Sequence, residues 1–291
     1  MTLRLTVIGA ILVFHLSGAA QEKTDVSLFY KRAPEDQLQS VESKRGNLFR
    51  KLGHHGPAVE NPWYALRIYF NKKTAIDLYS KAIPRNELRE KQWYPSKEEQ
   101  LDGWGADYYK VGKTLGLGGI KLWDGQGIVD LHRVSKRYAE VMNAGDSASM
   151  VMVSEGVKYK GRKVDIKVTV TVFAGSRLAR ITAETLDGET VQFVSGICAY
   201  ENLDVMKTDH YIATWGIHPE DVAAEKIAVG GVLFIPDEGV AEVRIEKKQY
   251  LVVTKPTSAI SFRISAASAR DPEINTYQKF IENIEYIFNT P

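Results

Sequence analysis

The sequence predicts an all-β protein: a large antiparallel β-sandwich with one helix packed on it at the C-terminal end. Three observations lead there. From Ser147 onward, apolar and polar residues alternate in short runs separated by glycine-containing turns, as where Val168, Val170 and Val172 interleave with Lys167, Thr169 and Thr171. Between Leu101 and Gly127 lie eight glycines, which would be costly in a helix and suit loops that bring backbone close to a ligand. The chain ends on an apolar stripe, Ile274, Tyr277, Ile281, Ile284 and Phe288, behind Asp271 and Pro272; Asp271 is expected at the N-cap and Pro272 at the first helical position.

Taken in order, the first twenty residues differ from the rest. Arg4, the apolar run Leu5 to Leu16 and the small residues Ser17, Gly18, Ala19 and Ala20 have the form of a signal peptide over 1–20. The run is short for a membrane span and no later stretch reaches that length. Residues 21–291 are then expected to form a single β-sandwich catalytic domain, periplasmic or secreted. The sole cysteine, Cys198, sits in an apolar run and is read as a buried thiol. An exported chain without disulfides suits a bacterial periplasm or medium. With a formal charge of +2, attraction to an anionic substrate must come from a local cleft. Nucleic acid and membrane insertion are not expected, and neither a cofactor nor a metal is called for, since no zinc spacing or HExxH motif occurs.

Asp25 to Lys31 reads as a lead-in strand. Tyr64 to Phe70 and Thr74 to Tyr79 read as a hairpin, with Tyr64, Leu66, Ile68 and Phe70 on one face and Arg67 on the other. Ile83 to Asp102, rich in charge, is expected as a surface helix or long loop. Further strands are expected at Ser147–Tyr159, Val164–Phe173, Leu178–Thr185, Val191–Tyr200, Tyr211–Ile217, Glu225–Ile235, Glu242–Thr254 and Ile260–Ser265. The size suits the sandwiches of mutarotases and many carbohydrate-active enzymes, an analogy of fold alone.

Chemistry is expected in two stretches, Gly53 to Asn71 and Leu101 to Gly127. His54 and His55 lie in a glycine-bounded loop without apolar periodicity, and His210 opens a strand; histidine is the natural acid–base group near neutrality. Tyr108 and Tyr109 stand among Lys110 and Lys113, cations that would lower a phenol's pKa. Glu60 adds a carboxylate beside the Pro62 turn, and Arg67 suits a bidentate carboxylate clamp. Trp63, Trp104, Trp123 and Trp215 offer flat rings for sugar stacking. The catalytic candidates are thus His55, Tyr108, Tyr109 and His210. Those for substrate binding are His54, Glu60, Arg67, Trp104, Lys113 and Trp123.

The segments KLGHHGPAVENPWYALRIYF (Lys51 to Phe70) and LDGWGADYYKVGKTLGLGGIKLWDG (Leu101 to Gly125) resemble a family of exported bacterial proteins catalogued as a domain of unknown function. The likeness covers nearly the whole mature chain. Members accompany polysaccharide-degrading enzymes in utilisation loci, especially in marine Bacteroidetes, and the resemblance extends to an ulvan oligosaccharide dehydratase. It implies elimination of water from a saturated uronic acid at the non-reducing end, giving a 4,5-unsaturated uronate. The residues are compatible with that chemistry: a base (His55, Tyr108 or Tyr109) for the C5 proton, an acid (His210 or a tyrosine) for the C4 hydroxyl, and a cation (Arg67 or Lys113) for the carboxylate. A polysaccharide lyase, a glycoside hydrolase and a non-catalytic carbohydrate-binding protein are the competing expectations. Which adjacent histidine or tyrosine acts, and the oligomeric state, stay open.

Overall fold

The computed structural model describes residues 24–219 and 223–289; the expected signal peptide lies outside the described residues. The first five strands are β1 (Asp25–Ser27), β2 (Ser40–Ser43), β3 (Ala58–Glu60), β4 (Tyr64–Ile68) and β5 (Ile76–Ser80). Two short helices follow, α1 (Leu88–Lys91) and α2 (Lys97–Leu101), then β6 (Ile120–Trp123), β7 (Ile128–Val129) and β8 (Lys136–Asn143). A long meander is built from β9 (Ser147–Tyr159), β10 (Arg162–Phe173) and β11 (Ser176–Thr185). After it come β12 (Phe193–Cys198), β13 (Asp204–Lys207), β14 (Tyr211–Ile217) and β15 (Ala228–Phe234). The chain closes with β16 (Val240–Glu246), β17 (Gln249–Thr254), β18 (Ala259–Ser268) and α3 (Tyr277–Asn289). Among the described residues no helix is long and apolar enough to cross a membrane.

These strands make a nine-stranded antiparallel sheet in the order β13-β14-β15-β18-β11-β10-β9-β8-β2. Two smaller sheets, β1-β3-β4-β5 and β16-β17-β12-β6-β7, lie against it. The cause is strand alternation: Leu66, Ile68, Ile76 and Leu78 from the first small sheet and Ile120, Leu122, Phe193 and Ile197 from the second are buried with Met150, Met152, Val168, Val170 and Ile181 of the large sheet in one core. The other face of the large sheet takes α3, through Tyr211, Ala213, Trp215, Val232 and Phe234 against Phe280, Ile281 and Ile284. Trp215 therefore stacks on Phe280 at 5.3 Å between ring centres and is not a sugar platform.

Several expected boundaries move. Glu242 to Thr254 is two strands, because Lys247 turns the chain with φ 57°. Strand β8 was hidden by Arg137, which points inward and is buried. Its guanidinium donates to Ser154 Oγ at 3.1 Å, to the Gly46 carbonyl at 2.6 Å and to the Leu131 carbonyl. The C-terminal helix starts five residues later than Asp271 implies, at Tyr277 instead of Pro272. Asp271 instead accepts from the Glu273 and Ile274 amides and is clamped by Arg177 at 2.6 Å and 3.1 Å, and Thr276 Oγ1 takes the Lys279 amide at the helix start.

The outward face of the first small sheet is covered by the segment 81–106. Ala58, Ala65 and Tyr79 there are buried against Leu88 and Trp93. Glu60 anchors this cover: its carboxylate accepts the Glu87 and Leu88 amides at 2.8 Å and 3.0 Å and meets Lys81 Nζ at 2.5 Å. Fully buried and engaged on all sides, Glu60 is a structural residue and does not reach a substrate, a correction to its expected role.

Helix α3 docks closely because residue 230 has no side chain. A Cβ at Gly230 would lie 2.4 Å from Trp215 and 2.8 Å from Phe280. Gly230→Ala should lower stability by ~1–3 kcal/mol through overpacking, read as a reduced urea midpoint. Adding Phe280→Leu to that chain should recover part of the loss.

Candidate functional site

The site grows from the β4–β5 register, which sets Arg67 directly opposite Asp77. Both side chains point away from the core. Arg67 Nε and Nη2 donate to Asp77 Oδ2 at 2.9 Å and 2.5 Å, and Nη2 also reaches Asp107 Oδ2 at 3.0 Å. Nη1 donates to the Tyr94 hydroxyl at 2.9 Å. The guanidinium lies 4.2 Å from the Trp93 ring centre, and Trp93 Nε1 donates to Asp107 at 3.2 Å. The Tyr69 hydroxyl donates to Asp77 at 2.5 Å. Burial works against the charge on Arg67, and Asp77 and Asp107 more than offset it, so its pKa is raised further. Burial, then the Asp77 carboxylate, raises that of Tyr69 and keeps the phenol protonated.

Four non-glycine residues around this cluster hold positive φ: His54 (51°), His55 (61°), Gln92 (52°) and Trp93 (77°). Histidine tolerates that region better than a bulky tryptophan does. Such positions cost ~1–3 kcal/mol each and persist only where the surroundings hold them; here the Arg67 cluster does so for Trp93. The histidine loop is seated by pairing, with Ile68 N donating to Pro57 O at 3.1 Å and Phe70 N to His55 O at 2.9 Å. Residue 56 has to be glycine, because a Cβ would lie 1.9 Å from the Ile68 carbonyl oxygen.

His55 is half-buried between Phe49, stacked at 4.0 Å, and Tyr69, edge-on at 6.2 Å. Its Nδ1 lies 2.8 Å from the Phe49 carbonyl. A carbonyl only accepts, so Nδ1 carries the proton and Nε2 the lone pair. Burial lowers the pKa of His55, with Arg67 and Lys31 adding to the effect against Phe49 and Asp77. The result is a neutral imidazole with a basic nitrogen at neutral pH. Next along the cluster, Tyr94 is 44% exposed. Its oxygen already accepts from Arg67, which leaves its own proton to give. Sequence reasoning missed Tyr69, Trp93, Tyr94 and Asp77; of these only Asp77 carried a signal, through its place opposite Arg67 in the hairpin.

The other expected residues are dispersed. His54 is buried 5.1 Å from the Phe29 ring and beside Trp93. It donates from Nε2 to Ser27 Oγ at 3.0 Å, since the Ser27 proton goes to Gln37. Arg67, committed to two carboxylates and a phenol, has no free edge for a substrate carboxylate, which corrects the clamp expectation. Tyr109 is 1% exposed and its hydroxyl accepts the Cys198 amide at 3.2 Å; burial, with Cys198 next, raises its pKa well above the ordinary value, so it is neither accessible nor a base. Tyr108 is buried too, and burial raises its pKa despite Arg270. It lines a cavity of 240 Å³ with Asp107 and His218.

His210 is exposed and stacks at 4.7 Å on Phe288 of α3, on the face of the large sheet opposite the Arg67 cluster. Trp123 is 3% exposed and packs with Leu115, Val194 and Leu251 under Arg244. Trp104 has its ring occupied by Arg85 at 3.6 Å and Lys91 at 4.0 Å. Lys113 is exposed on the turn after Gly112. Tyr108, Tyr109, His210, Trp104, Trp123 and Lys113 thus do not gather with His55.

Two buried imidazoles are titration-sensitive. Burial, aided by Arg67 and His55, lowers the pKa of His54 to about 3, and burial lowers that of His218 to about 4. The unfolded chain, with histidine near ~6.5, binds protons that the folded chain refuses. Stability is therefore full above that value and falls as pH drops below it, by up to ~1.4 kcal/mol per pH unit for each histidine. In a urea series between pH 6.5 and 5, His54→Asn should flatten this slope by one proton's worth, whatever its effect on stability at pH 7.

The chain belongs to the family described as "Domain of unknown function (DUF4861)", whose model matches residues 18–290. No curated protein matches it. Among solved structures it is similar to a 4-alpha-glucanotransferase from Thermococcus litoralis, at 13% identity and TM-score 0.36, over 73% of this chain and 37% of that one. It is similar to the heparan sulfate lyase HepC (a mutant) from Pedobacter heparinus, at 10% identity and TM-score 0.37, over 73% and 33%. The chain spans about a third of the length of these two. A putative aldose 1-epimerase from Klebsiella pneumoniae subsp. pneumoniae aligns over 90% of this chain and 91% of its own, at 8% identity and TM-score 0.38.

Proposed function

We propose that this member of the family is an oligosaccharide dehydratase. It eliminates water from the non-reducing-end uronic acid of ulvan oligosaccharides and leaves a 4,5-unsaturated uronate. The resemblance of the two loop stretches motivates the substrate, and one observation carries the chemistry: His55, a neutral imidazole with its lone pair on Nε2, packs on Tyr69 at the edge of the Arg67 cluster, and the same cluster holds Tyr94, an exposed phenol that still has its proton to give. His55 Nε2 takes the C5 proton and the electron pair of that C–H bond forms the C4–C5 double bond. The C4–O bond breaks, and Tyr94 protonates the departing hydroxyl to water. Arg67, donating to the Tyr94 oxygen at 2.9 Å, stabilises the phenolate left behind. Lys31, close enough to His55 to lower its pKa, neutralises the uronate carboxylate so that C5 can lose its proton. Asp77 and Asp107 are held by Arg67 and buried at 1% and 4% exposure, a placement that favours elimination over hydrolysis by two free carboxylates. The same reading places a single catalytic domain in the periplasm or the medium after removal of the signal peptide.

Purified mature protein mixed with saturated uronate-terminated ulvan oligosaccharides should gain ultraviolet absorbance, with products one water lighter and chains uncut. Shorter products would make it a lyase, and no change in either readout would leave a binding protein. His55→Gln should lower kcat/KM by ~10²–10⁴-fold, as for loss of a general base, and Tyr94→Phe should cut kcat by a similar order. Because the base acts deprotonated, activity should fall with decreasing pH, with an apparent pKa below the ordinary ~6.5 of histidine. Lys31→Ala should move that limb upward, since the lysine charge helps to hold it down.

A further inference from the structure

The segments 30–32 and 48–51 lie side by side. Lys31 N donates to Lys51 O at 2.9 Å, and Tyr30 bridges Leu52. This pairing sets four exposed cations, Lys31, Arg32, Arg50 and Lys51, around one concavity of 410 Å³, whose remaining lining is Tyr30 and Leu48, with no carboxylate. A second concavity of 270 Å³ shares Leu48, Arg50 and Lys51 and adds Phe49, Asn47 and Asn71. The chain as a whole carries only +2, so four cations around one hollow are a local concentration and not the overall field. The hollow adjoins the candidate site: Phe49 stacks on His55 and Lys31 acts on its pKa.

We infer that the Arg32, Arg50 and Lys51 side of this cationic groove, with Lys31 left to the uronate carboxylate, is a subsite for a second oxyanion, a sulfate ester or a carboxylate, carried by the sugar unit next to the one positioned at His55. The inference rests on the glycan reading of the His55 site and adds what that reading leaves open, namely which feature of the neighbouring unit is recognised. The two turns are tied together by the Tyr30–Leu52 bridge and the Lys31–Lys51 backbone hydrogen bond, which keeps the four cations around one hollow, while their exposure keeps each contact modest and salt-sensitive. Tyr30 and Phe49 add ring surface at the two hollows.

The test uses the Arg50→Gln/Lys51→Gln double variant, whose changes fall on exposed side chains, in the full-length mature protein. Binding is measured calorimetrically in a His55→Gln background to prevent turnover, with three uronate-terminated oligosaccharides whose second sugar is sulfated, carboxylated or neutral. The expected result is about tenfold weaker binding of a charged glycan by the double variant, a shallower dependence of affinity on salt, and a change of less than twofold for the neutral one. With His55 present, the same substitutions should raise KM for the charged glycan and leave kcat in place. Sensitivity of the sulfated or of the carboxylated glycan alone identifies the oxyanion. Equal affinity and equal salt dependence with and without Arg50 and Lys51 would overturn the subsite even if the dehydratase activity is found. Groove-dependent binding without any elimination would keep the subsite and remove the dehydratase reading.

Discussion

A guanidinium taken out of water organises this side of the molecule. Removing Arg67 and its two carboxylates from solvent costs several kcal/mol per ion, and that cost is offset only where geometry and hydrogen bonding are complete. Completion draws on three separate segments that follow Arg67 in the chain. Strand β5 supplies Asp77 through its register with β4, the loop bridging Ser80 to Ala106 supplies Asp107, and the cover supplies Trp93 and Tyr94. Losing either carboxylate would leave buried charge undercompensated, so the hairpin and the glycine-rich loop stand or fall together.

The same arrangement explains why the proposed chemistry is assigned beside the ion cluster and not on it. One cation held by two carboxylates has no capacity left for a substrate, yet it fixes the groups at its edge. Tyr69 is committed to Asp77, whereas Tyr94 accepts from Arg67 and retains its proton. His55 is held with its lone pair outward by a single carbonyl. The strain at His54, His55, Gln92 and Trp93 is of the kind that packed surroundings maintain around sites of function. On the far side of the sandwich, α3 covers the large sheet through an apolar cluster, and His210, stacked on Phe288, belongs to that side.

Much of the fold was legible because strand alternation is a local signal that burial enforces. Ser147–Tyr159 and Tyr211–Ile217 are found at the expected bounds, as is the separation of Leu66 and Ile68 from Arg67 across β4. The signal failed where a polar residue points inward, as Arg137 does in β8. It failed again where two strands run together without a glycine, as at Lys247. The start of α3 was misplaced because Asp271 satisfies amides two and three residues on without beginning a helix, a local alternative that the sequence does not distinguish from a cap.

What the sequence by itself determined is the set of faces: which residues of each strand go to the core, that a helix ends the chain, and that the two stretches around Arg67 and Asp107 hold the polar groups of interest. What only the tertiary structure decided is which of those groups meet, and in which state. Arg67 became an internal ion partner and Tyr109 a core phenol, while Tyr94, from a segment that reads as charged surface, came to lie at the site. The physical reason is that periodicity assigns a residue to a side of its own strand, a property of neighbours in the chain. Hydrogen-bond partners, burial and pKa depend on what other segments bring to that side.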